Sequence, residues 1–238
     1  MKEIFSSLKK HYGEIRRAIQ GRGVRMDGDF AVVEGLDLGF KGVMEAQVLE
    51  SLEVFRAILS GDKEKEVAMR RLSRQQKKAG RIIPRIEVAF SSGPNTFFAE
   101  GITKILDVAL GYATQQQNHY FLIGANDVTP VEAWTLGTSG TKIRTTFGEV
   151  TSYDETYRQT WTFAAAASKS ITNSASPATI TANATVTARG ACLVSKNAKD
   201  GANDNSGYAI AGKRFSSDMP LSDDSEIRIV HTLSGSVS

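Results

Sequence analysis
Cysteine occurs once in the 238 residues, histidine three times, and no apolar run reaches the roughly 18 residues that a membrane-spanning helix needs. A single thiol excludes an internal disulfide framework and a four-thiolate metal site. Cys192 lies in the apolar run Ala191-Cys192-Leu193-Val194, which predicts a buried, unreactive side chain. His11, His119 and His231 show neither His-x-His nor His-Glu-x-x-His spacing, so no metal and no cofactor is expected, and His231 reads as a core or edge histidine. The amino-terminal MKEIFSSLKKHYGEIRR lacks the continuous apolar core of a secretory signal. Together these predict a chain made and folded in a reducing cytoplasm, with no membrane partner.

Catalytic patterns are missing too. There is no Gly-x-Ser-x-Gly elbow and no Gly-x-x-x-x-Gly-Lys-Ser/Thr phosphate loop. Gly137-Thr138-Ser139-Gly140 lies between strand-like segments and reads as a hairpin turn. Asp154-Glu155 and Asp223-Asp224 are adjacent carboxylates, and neighbours on a strand point to opposite faces, so neither is a ready acid–base couple. The expectation is a protein without enzymatic activity.

What is present begins with charge. The net charge of +3 divides unevenly: residues 1–90 carry 18 Lys/Arg against 13 Asp/Glu, residues 91–238 carry 11 against 13. A basic front predicts contact with an acidic partner, either nucleic acid or the acidic face of another protein. Ile4, Phe5, Leu8, Tyr12, Ile15 and Ile19 recur at helical spacing, with Lys9, Lys10, Arg16 and Arg17 mainly off that stripe. Phe30–Val33 reads as a short strand or arm. Val48, Leu52, Phe55 and Leu59 predict a second helix over about Val43–Leu59. Ser60-Gly61-Asp62 marks a break and an N-cap, and a third, highly charged helix follows over roughly Lys63–Ala79. Its segment RRLSRQQKKAGR makes Arg70, Arg71, Arg74, Lys77, Lys78 and Arg81 the candidate partner-binding residues, together with Lys9, Lys10, Arg16 and Arg17. No aromatics interleave with these cations, which favours another subunit over single-stranded nucleic acid. Ile82–Val88 reads as a strand or extended linker, and the turn cluster Ser91–Asn95 as the boundary between two regions.

After a helix over about Phe98–Ala113 the period changes. Tyr120–Ile123, Val131–Leu136, Lys142–Val150, Tyr157–Ala165, Thr179–Ala188, Ala191–Ser195, Tyr208–Ala211 and Glu226–Leu233 are strand-like and separated by turn clusters. In SPATITANATVTARGACLVS, Ile180, Ala182, Ala184, Val186 and Ala188 alternate with Thr179, Thr181, Asn183, Thr185 and Thr187. This predicts one strand with a small-residue inner face opposed by Trp161 and Phe163, and a half-wet threonine face. The expected fold class is α+β: an amino-terminal helical docking region, residues 1–93, followed by an antiparallel β-sandwich or jelly-roll-like domain, residues 94–238.

From Tyr157 the chain resembles a group of tailed-bacteriophage virion proteins. The carrying segments are TFGEVTSYDETYRQTWTF, ITNSASPATITANATVTARGACLVS, GYAIAGKRFSS and SEIRIVHTL. Asn173-Ser174, Gly190-Ala191 and Phe215-Ser216 match the group's pattern, Asn118–Gly124 resembles its entry strand, and Ser222-Asp223-Asp224-Ser225 stands where the group has Gly-Asp. The resemblance covers about residues 95–238. It implies a virion component bound to other virion proteins as a homo-oligomer, with no catalytic residues to carry over. The helical front points to a neck or tail assembly, including a tail-tube or fibre-anchoring role, ahead of capsid decoration. Two other classes remain open: a receptor- or glycan-binding module using Tyr208 and Trp134, and contact with DNA through Arg70–Arg81.

Overall fold
A computed structural model describes residues 24–237 apart from 28–29, 34–35, 110, 115, 117, 138–140, 164, 166–169, 200 and 202–203. The amphipathic helix expected over residues 4–19, with Lys9, Lys10, Arg16 and Arg17, lies outside the described residues.

The front of the described chain is extended: Phe30–Val33 is the short strand expected, whereas residues 43–51 are strand where helix was expected. Val24–Asp27 (β1), Phe30–Val33 (β2) and Leu36–Ser51 (β3) form antiparallel neighbours. The helix expected over Val43–Leu59 shrinks to Leu52–Ser60 (α1). Met44, Ala46 and Val48 are fully buried, while Val43, Glu45 and Gln47 point the other way. That two-residue period, with a hydrogen-bonded strand on each side, outweighs the helical spacing. Lys63–Lys78 (α2) follows as expected, and then Arg85–Pro94 (β4). The boundary expected near residue 93 falls inside β4, and β3 pairs with β4 on one edge and with the last strand, Glu226–Val237 (β14), on the other. The front segment therefore builds one sheet with the end of the chain.

The remaining elements are Thr96–Phe97 (β5), Ala99–Ala109 (α3), Tyr120–Gly124 (β6), Trp134–Thr135 (β7), Thr141–Lys142 (β8), Ile143–Thr146 (α4), Gln159–Thr160 (β9), Ser170–Thr172 (β10), Ala178–Thr181 (β11), Val186–Val194 (β12) and Ala209–Leu221 (β13). One sheet runs β1-β2-β3-β14-β10, with β4 also on β3 and β11 also on β14; the other runs β5-β13-β12-β6-β9. Both are antiparallel. A shared core joins them: Met44, Ala46, Val48, Ile227 and Ile229 from the first sheet meet Phe121, Ile123, Leu193, Ala211 and Phe215 from the second. A second cluster covers the far face of the β12 sheet with Phe98, Leu122, Trp134, Ile143, Phe147 and Val194. A strand covered on both faces reads as an unbroken apolar run, which is why Ala191–Val194 shows no alternation.

The Thr/Ala run is two strands rather than one. It bends after Ala182, and the chain crosses from the β14 sheet to the β13 sheet. Ala178, Ile180 and Ala182 face the shared core with Trp161, as the alternation predicted, although Thr181 is buried rather than half wet. A bulge between Ala188 and Gly190 then reverses the parity, so Ala188, Ala191 and Leu193 face the shared core while Cys192 and Val194 face the second cluster. Two further expectations give way. Lys142–Val150 is not a strand but the short helix α4 leading to the buried Phe147. β7 and β8 pair parallel, so their connection is not a hairpin.

Candidate docking surface
The helices α1 and α2 form a hairpin between the adjacent strands β3 and β4. Gly61 closes α1 in the left-handed conformation at φ 70°, and the Asp62 side chain caps α2 by accepting from Lys65 N at 2.9 Å. Glu64 and Glu66 occupy the first turn of α2 and Lys77 and Lys78 the last, complementing the helix dipole.

The basic residues of α2 divide by face. Arg70 points into the sandwich end: Nη1 donates to Glu50 Oε2 and to the Asp223 carbonyl, both at 2.9 Å, while Nε and Nη2 donate to Glu66 Oε1. Arg74 pairs with Asp223, and Lys77 bonds Glu226 and Thr181. From the start of β4, Arg85 Nη1 donates to the Asp224 carbonyl at 3.1 Å, and its Nη2 lies 3.3 Å from Glu226 Oε1. Burial raises the Glu50 carboxyl above its ordinary range, opposed by the hydrogen bond and charge of Arg70. Burial likewise raises Asp223, opposed by Arg74. Three of the expected partner-binding cations, Arg70, Arg74 and Lys77, are thus fasteners within the chain. Arg71, Lys78 and Arg81 remain on the exposed side and form no ion pair among the described residues.

Exposed apolar residues gather on the same module. Of the eleven large hydrophobic side chains exposed among the described residues, seven fall between Ile58 and Phe90: Ile58, Leu59, Val67, Leu72, Ile82, Val88 and Phe90. Ile82, just after α2, is 98% exposed. Apolar groups set among cations on this hairpin and on β4 form a surface suited to a partner.

No family model, no curated protein and no solved structure matches this chain.

The other candidates resolve differently. Trp134 is buried in the second core cluster, in contact with Phe98 and Phe147, so it cannot serve as a sugar platform. Tyr208 is half-buried and its hydroxyl lies 3.1 Å from His119 Nε2. His231 is a core histidine, 3.1 Å from Asn95 Nδ2, and burial lowers it to about 4, as it does His119. Cys192 is fully buried and its thiol is pushed up by burial. Among the described residues no three His, Cys, Asp or Glu side chains gather as a metal site, and no helix is long and apolar enough to cross a membrane.

One cluster had no signal in the sequence. Arg158, its side chain fully buried, is held by Glu149 (2.6 and 2.8 Å), Asp204 (2.7 and 3.1 Å) and the Lys196 carbonyl (3.0 Å). It joins two long connections of the second sheet, and every donor it uses is saturated by the chain itself. It fastens; it does not present.

Proposed function
We propose that this chain is a non-enzymatic structural component of a tailed-phage virion, in the neck or tail assembly, that docks through the α1–α2 hairpin and self-associates through its jelly-roll-like sheets. The observation that carries the reading is the concentration of exposed aliphatic and cationic side chains on that hairpin and on β4, against buried arginines, Arg70 and Arg158, that are held by the chain's own carboxylates. Resemblance to phage virion proteins supplies the particle, and the residues that carry it play packing roles here. Asn173 Nδ2 donates to Ile229 O at 3.0 Å and its Oδ1 accepts from His231 N at 2.7 Å, stitching β10 to β14. Ser216 N donates to Ser91 Oγ at 3.0 Å, linking the two sheets. Such residues hold a body that must keep its shape while neighbours press on it.

The test is mass spectrometry of purified particles combined with light scattering of the isolated chain. The expected result is a fixed number of copies per particle and a closed oligomer in solution. A chain that stays monomeric and is missing from particles overturns the proposal.

A further inference from the structure
The tail of α2 and the first residues of β14 enclose an open groove of about 400 Å³ on the outer side of the β3–β14 pair. Lys77, Arg81, Arg85 and Arg228 line it with Glu226, and the buried Asp224 carboxylate lies 3.9 Å from Arg85 Nη2, which leaves two positive charges in excess. Glu226 is already taken: it accepts from Lys77 at 3.2 Å and lies 3.3 Å from Arg85. Arg85 is bound into the wall of the groove: its side chain is only 8% exposed, and Nη2 faces Glu226 at 3.3 Å and Asp224 at 3.9 Å. The cations left to meet an incoming anion are Arg81, which pairs with no carboxylate among the described residues, and Arg228, whose Nη2 lies 3.9 Å from Glu226. Arg81 and Arg228 stand more exposed at the rim, Arg228 with 45% of its side chain in solvent.

The same groove carries Leu49, Ile82 and Ile83. That aliphatic wall decides between two kinds of anion. A phosphodiester chain presents charge and sugar along its backbone and gains nothing from isoleucine, and no aromatic ring lines the groove to stack a base. A peptide that alternates carboxylates with an aliphatic side chain satisfies both halves at once. We infer that this groove binds an acidic, leucine-type segment of a partner protein, carboxylate against Arg81 and Arg228, aliphatic side chain against Leu49 and Ile82. This rests on the docking reading above and names the chemistry of its partner.

The probe is a fluorescein-labelled hexapeptide, Asp-Glu-Leu-Asp-Glu-Leu, titrated with the full chain at low salt and followed by anisotropy. Saturable binding is expected. Replacing both leucines by serine is expected to weaken it about fivefold or more, since apolar burial is lost. The double variant Arg81→Glu with Arg228→Gln is expected to weaken it at least tenfold in a chain that still melts cooperatively, while Arg71→Glu, off the groove, leaves it unchanged. No saturable binding, equal loss with Arg71→Glu, or a labelled DNA strand that binds more tightly and displaces the peptide each overturns the inference. The two proposals fail separately. A chain that assembles into particles but ignores the peptide loses only the groove, and one that binds the peptide yet is absent from particles loses only the assembly role.

Discussion

Replacing Arg158 by methionine removes the buried cation that bridges Glu149 and Asp204 and leaves only the half-exposed Arg144, 3.9 Å from Asp204, beside them. In the native chain the side chains of Arg158, Glu149 and Asp204 are 0%, 2% and 7% exposed, so water cannot take the arginine's place. Breaking such a pair costs about 3–5 kcal/mol, chiefly from the charges left behind. In a chain of this size that corresponds to a melting temperature lower by roughly 6–20 °C. The assay is urea unfolding at pH 7, with the midpoint falling and the slope unchanged. The origin of the loss is checked by pH. Burial already raises Glu149, and the hydrogen bonds and charge of Arg158 oppose that rise, so the variant's Glu149 moves higher still. A carboxyl raised in the folded state binds more protons folded than unfolded, and stability then falls as pH rises through its ordinary range. The deficit of Arg158→Met is therefore larger at pH 7 than at pH 5. Adding Glu149→Gln and Asp204→Asn should recover more than half of it. A loss under about 1 kcal/mol, or a triple variant no better than the single, refutes the view that this cluster holds the two connections by charge.

Three further outcomes follow from the core. Asn173→Ala leaves the His231 amide and the Ile229 carbonyl without their partner at a position 1% exposed, and should cost about 2–4 kcal/mol in urea unfolding; a loss near zero would mean that water replaces the side chain. Burial lowers His119 and His231 from 6.5 to about 4, so the unfolded chain binds more protons between those values; their stability is complete above pH 6.5 and lost as pH falls towards 4. The difference between native chain and His231→Gln should accordingly change with pH between 6.5 and 5, by up to about 1.4 kcal/mol per unit, and a constant difference would contradict the burial. Gly190→Ala places a methyl 2.3 Å from both Lys213 O and Phe147 Cζ, so a loss of about 1–3 kcal/mol is expected in thermal melts, and an unchanged melt would show that the bulge yields.

The parts of the fold that could be read from residue order are those whose signal is local. The N-cap at Asp62, the charged α2, helix α3 and the apolar face Ile227–Ile229–His231 each follow from spacing within a few residues. The misread parts depend on partners far along the chain. β3 is a strand because β14 lies beside it almost two hundred residues later, and nothing between Val43 and Val48 announces that neighbour except a two-residue period that the following helix obscured. The bend after Ala182 is hidden because small residues suit both the end of one strand and the start of the next. The candidate docking surface is half legible. Rows of Lys and Arg were visible, but which of them turn inward depends on Glu50, Asp223 and Glu226, supplied from three other places in the chain.

That division of α2 decides how its function has to be probed. Neutralising Arg70, Arg71, Arg74, Lys77 and Lys78 together mixes two effects. Arg70 is anchored to Glu50, whose side chain is 5% exposed, so Arg70→Met strands a buried carboxylate and should cost about 3–5 kcal/mol. Arg71 and Lys78 are exposed and pair with no carboxylate among the described residues, so Arg71→Gln with Lys78→Gln should stay within about 0.5 kcal/mol of the native chain. Any change that the exposed pair causes in particle assembly or ligand binding is then a change in contact, whereas loss through Arg70 reports a loosened hairpin. Thermal melts and assembly assays run side by side separate the two. If Arg71→Gln with Lys78→Gln lowers the melting temperature as far as Arg70→Met, the two faces of the helix are not distinct and the hairpin's outer cations belong to the fold.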